Sequence, residues 1–311
     1  MQIRQVRLDG PGVRGTQVSG AVLRDLLAVL IEGSQRALRI RTQGRSTAPG
    51  AMPAWIVAAS DISVQIIEGS TILRIEGPSL LEAAPDEFRQ AQLFPEVDVA
   101  RPAIDYLIDS LEAALGSEDQ SALYDGQLLK VFGRLGSVFA KGVDHLAFDR
   151  SNGAAHRPLR ITPGDLRQIR ELERKIPGPQ YVMVAGKLDT IRHSDRTFVL
   201  DLGEGREPIK GLADHCEDLQ NFWGEHVVVA GTAHFTASGA IQRIEAEAPI
   251  RAASERDLSL FAVVPTPIAR PMVALELRRP QGPRSGLNAV FGKWPGEETD
   301  EQIKEALDLL S

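Results

Sequence analysis

The side chains best equipped for chemistry in this sequence are the cations between positions 181 and 243. There Lys187, Arg192, Arg196, Lys210 and Arg243 alternate with apolar runs and with Tyr181, Phe198 and Phe235. Cations neutralise phosphate and aromatic rings stack on flat bases, so this mixture suits a polyanion carrying rings. Phe198 lies within an apolar strand and reads as core. A second basic group, Arg157, Arg160, Arg167, Arg170, Arg174 and Lys175, is interleaved with Asp165, Glu171 and Glu173. Charge on a helix face is usually its wet side, so a solvated connector is the favoured reading of this group over a ligand surface.

Catalytic chemistry has poorer material. A nucleophile needs a base within hydrogen-bond reach, and the six histidines pair in no evident way with Cys216 or with a particular serine. His215 and Cys216 are adjacent, and side chains at i and i+1 point apart. His193, His226 and His234 read as turn or surface positions. Gly186-Lys187 is followed by Leu188 rather than Ser or Thr and lacks the upstream glycine of a phosphate loop. Asp144, Asp149, Asp189, Asp195 and Asp201 are scattered among turns, without the spacing that gathers carboxylates around magnesium. The expectation is a binding protein, not an enzyme, with no cofactor and no metal.

The chain that must position these residues has 311 of them, 43% hydrophobic and 25% charged, about two domains' worth. Wholesale disorder is excluded. Nineteen prolines and 28 glycines are dispersed, which places turns between many short elements. Lys+Arg 35 against Asp+Glu 42 leaves a net charge of −7, so nucleic acid could be held only by a local patch. One cysteine, Cys216, removes intramolecular disulfides and multi-cysteine metal sites and suits a reducing compartment, hence a cytoplasmic protein. The longest apolar stretch, residues 21–31, is interrupted by Arg24 and Asp25, so no membrane partner is expected. The opening MQIRQVRLDG lacks a secretory h-region.

Residues 1–150 read as an α+β domain of unassigned type. A strand over 1–8 meets a turn at Asp9-Gly10-Pro11-Gly12. Ser19 can cap a helix whose apolar face holds Val22, Leu23, Leu26, Leu27, Leu30 and Ile31, with Gly33 as its stop. Leu38, Ile40 and Thr42, alternating with Arg39, Arg41 and Gln43, predict a strand with arginines on one face. Residues 62–66 and 71–75 predict a hairpin around Glu68-Gly69-Ser70. Helices follow at 103–115 and 128–139, and a closing strand at 143–148. Residues 151–180 read as a basic connecting helix, started at Thr162-Pro163-Gly164-Asp165 and striped by Leu166, Ile169, Leu172 and Ile176.

Residues 181–260 alternate most clearly. Strands begin at Tyr181, Thr197 and Pro208, a short helix runs over 217–223, and further strands begin at His226 and Ala240. Three strands, a helix and two strands is the order of an OB barrel, and residues 181–253 resemble OB-fold modules, with Gly186 and Gly231 where barrel strands bend. The predicted fold class is α+β: an N-terminal α+β domain followed by a small OB-like β-barrel and a tethered C-terminal helix. Barrels of this kind bind oligonucleotides or sugars across an open strand face.

Residues 261–290 carry Pro265, Pro267, Pro271, Pro280 and Pro283 and predict an extended tether. Residues 291–311 form an acidic amphipathic tail. Thr299 and Gln302 make a capping box, and Ile303, Ala306, Leu307 and Leu310 an apolar stripe beside Glu297, Glu298, Asp300, Glu301, Glu305 and Asp308. The run GKWPGEETD at 292–300 resembles the tails of bacterial antitoxin-like proteins encoded beside PIN-domain ribonuclease toxins. That resemblance implies a toxin–antitoxin system in which the tail contacts a PIN-domain ribonuclease through Lys293, Trp294, Glu297, Glu298, Asp300, Ile303, Leu307 and Leu310. Trp294 would be the buried anchor, and Lys293 would reach a carboxylate cluster. The same stripe would also suit a helix folded back on its own first domain. Two functions are thus expected: neutralisation of a ribonuclease partner by the tail, or nucleic-acid binding by the barrel and the basic connector.

Overall fold

The computed structural model describes residues 2–15, 17–67, 71–88, 97–149, 158–192, 196–203, 206–213, 217–267 and 299. By its internal contacts the chain divides into residues 1–267 and 268–311. The first unit is described below. The expected tether from residue 268 onward and the tail residues Lys293, Trp294, Glu297, Glu298, Asp300, Ile303, Leu307 and Leu310 lie outside the described residues, as do Arg157, His193, Asp195, His215 and Cys216.

The chain begins with β1 (Gln2–Asp9), a small ribbon of β2 (Val13–Arg14) and β3 (Gln17–Val18), and the long helix α1 (Gly20–Gln43). Helix α2 (Ala54–Ala59), strands β4 (Ser63–Ile66) and β5 (Ile72–Gly77), and helices α3 (Leu80–Ala83) and α4 (Ala103–Leu115) follow. Then come α5 (Gly126–Gly133), α6 (Gly136–Phe139), β6 (His145–Asp149), β7 (Leu159–Ile161) and α7 (Asp165–Lys175). The five longer strands form an antiparallel sheet in the order β4-β5-β1-β6-β7. Alternation puts Val6, Leu8, Leu73, Ile75, Leu146 and Phe148 on one face, where they share a core with α1, α4, α5 and α7. Leu166, Ile169 and Leu172 of α7 are buried in that core, so the basic helix packs as part of this layer.

Helix α1 departs from the sequence expectation. Gly33 does not stop it: the helix runs on to Gln43, and the predicted strand of Leu38, Ile40 and Thr42 is its last turns. Gly33 serves close approach instead, since a Cβ there would lie 2.6 Å from Leu107 Cδ1 on α4. The stop is Gly44, whose φ of 68° is the left-handed conformation that glycine adopts at no cost, and its N–H donates to Ile40 O at 2.8 Å. Leu38, Arg39 and Ile40 are all buried, because this end of the helix is enclosed on several sides. Alternation therefore imitated a strand, and Arg39 and Arg41 do not share a strand face. At the N-terminus Ser19 caps as expected. Helix α4 keeps its expected bounds, while the helix expected over 128–139 breaks into α5 and α6 around Arg134 and Leu135.

The second sheet contains β8 (Gln180–Arg192), β9 (Thr197–Asp201), β10 (Ile209–Ala213), a 3-10 turn (Glu217–Phe222), β11 (His226–Phe235), β12 (Ile241–Ala246) and the short β13 (Arg251–Ala252). Helix α8 (Glu255–Phe261) follows, opened by a capping box between Ser254 and Asp257. Strand β12 pairs parallel with β10 and antiparallel with β11, and β11 pairs with β8. Five strands therefore close in the order β8-β9-β10-β12-β11-β8, an OB-like barrel with its helical turn between the third and fourth strands. Val184, Leu188, Phe198, Leu200, Val229 and Ile244 fill it. Two glycines make the packing feasible. A Cβ on Gly231 would lie 2.0 Å from Glu245 O, and one on Gly211 would lie 2.0 Å from the Phe198 ring.

Candidate nucleic-acid interface

The outer face of the barrel and the end of α1 enclose a cleft of about 280 Å³. Cations reach it from four elements: Arg41 from α1, Arg192 from β8, Lys210 from β10 and Arg243 from β12. No carboxylate lines it among the described residues. The strand registers explain the assembly. Arg243 lies beside Lys210, Lys210 beside Val199 and Val199 beside Thr190, so one cross-strand row passes over β12, β10, β9 and β8. Neighbouring strands are about 4.8 Å apart, which makes this row a track rather than a point.

Arg41 is held from behind. Its Nη2 is 3.5 Å from Asp109 Oδ2, and its guanidinium lies 5.9 Å from the centre of the Tyr106 ring. Arg101 faces the same ring at 5.0 Å and bonds Asp109 at 3.0 Å and Asp105 at 3.3 Å. Burial pushes the Tyr106 phenol up to about 12, so the ring stays neutral, and its hydroxyl donates to Asp98 O at 2.8 Å. The Nε of Arg41 is buried with no partner among the described residues, a donor left over after these contacts.

Arg243 ties barrel to helix. It is 5% exposed, donates from Nη1 to Gly44 O at 2.8 Å and meets Glu245 Oε1 at 3.2 Å. Burial pulls its proton affinity below the ordinary arginine value, while Glu245 and Asp125 oppose that pull. The Glu245 carboxyl is held down to about 2 by His234, and then by Arg243 and Arg45 against the cost of burial. His234 Nε2 stands 3.5 Å from Glu245 Oε1. The carbonyl of Gly44, the residue that stops α1, is thus taken by a charged donor from the barrel.

Of the basic residues selected from the sequence, the structure brings Arg192, Lys210 and Arg243 together. Lys187 is exposed beside His226, Arg196 sits in a turn with φ of 57°, and neither lines the cleft. Arg167, Arg170 and Arg174 are exposed on α7 and also stay outside it. Phe198 and Phe235 are buried, the former pressed against Gly211, and Tyr181 is exposed away from the cleft. Two residues were missed. Arg41 was obscured by the misread end of α1. Trp223, 69% exposed, follows the 3-10 turn and donates from Nε1 to Asp189 O at 2.9 Å. That bond fixes its ring beside β8, one residue from Thr190 on the cleft wall. Only the exposure of Trp223, which no sequence pattern reports, marks it. No group of three His, Cys, Asp or Glu able to hold a metal ion occurs among the described residues, and no described helix is long and apolar enough to cross a membrane. Comparison of the chain with protein-family models, with curated proteins and with solved structures returned no match.

Proposed function

We propose that the chain binds single-stranded nucleic acid on the outer face of its barrel, as a binding protein without turnover. The observation that carries this reading is the gathering of Arg41, Arg192, Lys210 and Arg243 in one cleft whose described lining residues include no carboxylate. A backbone phosphate meets these cations, and a base stacks on the exposed face of Trp223 at the edge of β8. The end of α1 walls one side, so the cleft admits a strand and excludes a duplex. With a net charge of −7, attraction is local rather than a property of the whole surface.

Fluorescence anisotropy with a labelled twelve-nucleotide single strand, and with a duplex of equal length, tests this. Contacts between cleft cations and backbone phosphates release counterions, so the binding constant should fall as salt is added. The double variant Arg41→Ala/Lys210→Ala should weaken binding at least about tenfold, and Trp223→Ala by a similar factor, about 1–3 kcal/mol. Equal affinity for duplex, or affinity indifferent to salt and to these variants, would end the proposal.

The tail sequence supports a second reading, neutralisation of a PIN-type ribonuclease partner. Its support is the juxtaposition of Trp294, the Ile303, Leu307 and Leu310 stripe and the surrounding acids, which suits an amphipathic helix laid into a groove. A chain ending after Gly286 should then lose a copurifying ribonuclease and the rescue of cells from it. Unchanged rescue defeats this reading and leaves the first intact.

A further inference from the structure

A second cationic recess lies on the other side of the same helix end, and none of its residues lines the cleft. Its floor is Arg39, 6% exposed. The Nε of Arg39 donates to Gln43 Oε1 at 2.8 Å, and Nη1 meets only Met52 Sδ at 4.0 Å. Among the described residues it has no carboxylate partner, whereas a buried cation is ordinarily paired. Its neighbours make matters worse. Arg36 pairs with Glu32 at 2.9 Å but leaves a buried Nη1 with no partner among the described residues, and Arg45 reaches Glu245 only at 3.5 Å, its buried Nε likewise without a partner among them. Glu32 is itself shared with Arg134. Burial first, then the charges of Arg45 and Arg36, lower the proton affinity of Arg39. Glu32, which also lines the recess, is taken by Arg36 and Arg134, so the guanidinium left without a carboxylate among the described residues is that of Arg39, against which the helix C-terminus sets about half a charge.

The loop that follows α1 completes the recess, whose volume is about 250 Å³. Ser46 is fully buried, with its N–H and Oγ donating to Asp125 at 3.0 and 2.7 Å, so the start of the loop is anchored. The following Thr47, Ala48 and Gly50 line the recess, and their amide N–H groups donate to no acceptor among the described residues. Several unbonded N–H groups beside fixed guanidinium groups make an anion site.

We propose that this recess binds a phosphate group, with Arg39 and Arg36 as charged donors and the amides of Thr47, Ala48 and Gly50 completing its coordination. The inference is independent of the nucleic-acid reading, because it uses different residues. Inorganic phosphate and the terminal phosphate of a larger molecule share this chemistry, and adenosine monophosphate set against adenosine separates them.

Thermal unfolding and titration calorimetry of the full chain supply the test, with inorganic phosphate compared with chloride at equal ionic strength. Phosphate should raise the melting temperature saturably, as a ligand of the native state does. Arg39→Met should lower phosphate affinity at least about tenfold without lowering the melting temperature in its absence. Arg36→Gln, a milder change at the rim, should lower affinity in the same direction and keeps the test open if the first variant folds poorly. Adenosine monophosphate binding where adenosine does not assigns a terminal phosphate, and binding of inorganic phosphate alone assigns the free ion. No saturable rise over chloride, or the same rise in both variants, overturns the proposal.

Discussion

Asp105→Ala is expected to destabilise the protein by about 3–5 kcal/mol, the cost of leaving one member of a buried ion pair alone. Asp105 on α4 accepts from Arg4 Nε and Nη2 at 2.7 Å each, and both side chains are 3% exposed. Removing the carboxylate leaves the Arg4 guanidinium in the core with Ile3 O and Gln2 Oε1 as remaining acceptors. Urea unfolding followed by circular dichroism measures the loss. The paired change Arg4→Met/Asp105→Leu should recover most of it, since apolar residues of similar volume replace a buried pair at little cost. A loss below about 1 kcal/mol for the single variant would show that the pair is not load-sharing. The effect extends to the cleft: Asp105 also holds Arg101, which shares Asp109 and the Tyr106 ring with Arg41. Asp105→Ala should therefore weaken oligonucleotide binding even under conditions where the chain remains folded.

Gly231→Ala should cost about 3 kcal/mol or more and open the barrel. The added Cβ would stand 2.0 Å from Glu245 O and 2.9 Å from Ala246 Cα, both backbone atoms of β12. Backbone in a closed sheet cannot rotate aside as a side chain can, so β11 and β12 must part. Gly133→Ala provides the comparison. That glycine lies in α5, where a Cβ meets nothing within 4 Å, so the change should be neutral or stabilise by up to about 1 kcal/mol. Melting temperatures of the two variants should move apart, and Gly231→Ala should also lose single-strand binding because β12 carries Arg243. Similar melting temperatures would contradict the close approach at Gly231.

The barrel was legible because alternation in β8, β9 and β11 reports one buried face directly, and because strand order follows from turn positions. The helix end was not. Leu38, Ile40 and Thr42 alternate as in a strand, yet Leu26, Leu30, Ser34, Leu38 and Thr42 keep the four-residue spacing of a helix throughout. Gly33 tipped the reading the wrong way, because a glycine that admits Leu107 looks in sequence like a glycine that ends a helix. The candidate site was half legible for a related reason. Arg192, Lys210 and Arg243 are selected by composition within one module, but Arg41 joins them from about 150 residues upstream, through a contact that local spacing cannot encode. The amides at Thr47, Ala48 and Gly50 carry no side-chain signal at all.

Strand β12 is the last barrel strand to leave the ribosome, yet it lies between β10 and β11 and carries the arginine that grips Gly44. A nascent chain that has emerged only as far as residue 240 exposes two unpaired strand edges and a loose helix end. Such edges invite association with neighbouring chains. The moment of greatest aggregation risk during synthesis thus falls just before residues 241–246 appear, and the cationic cleft comes into existence in the same step that removes that risk.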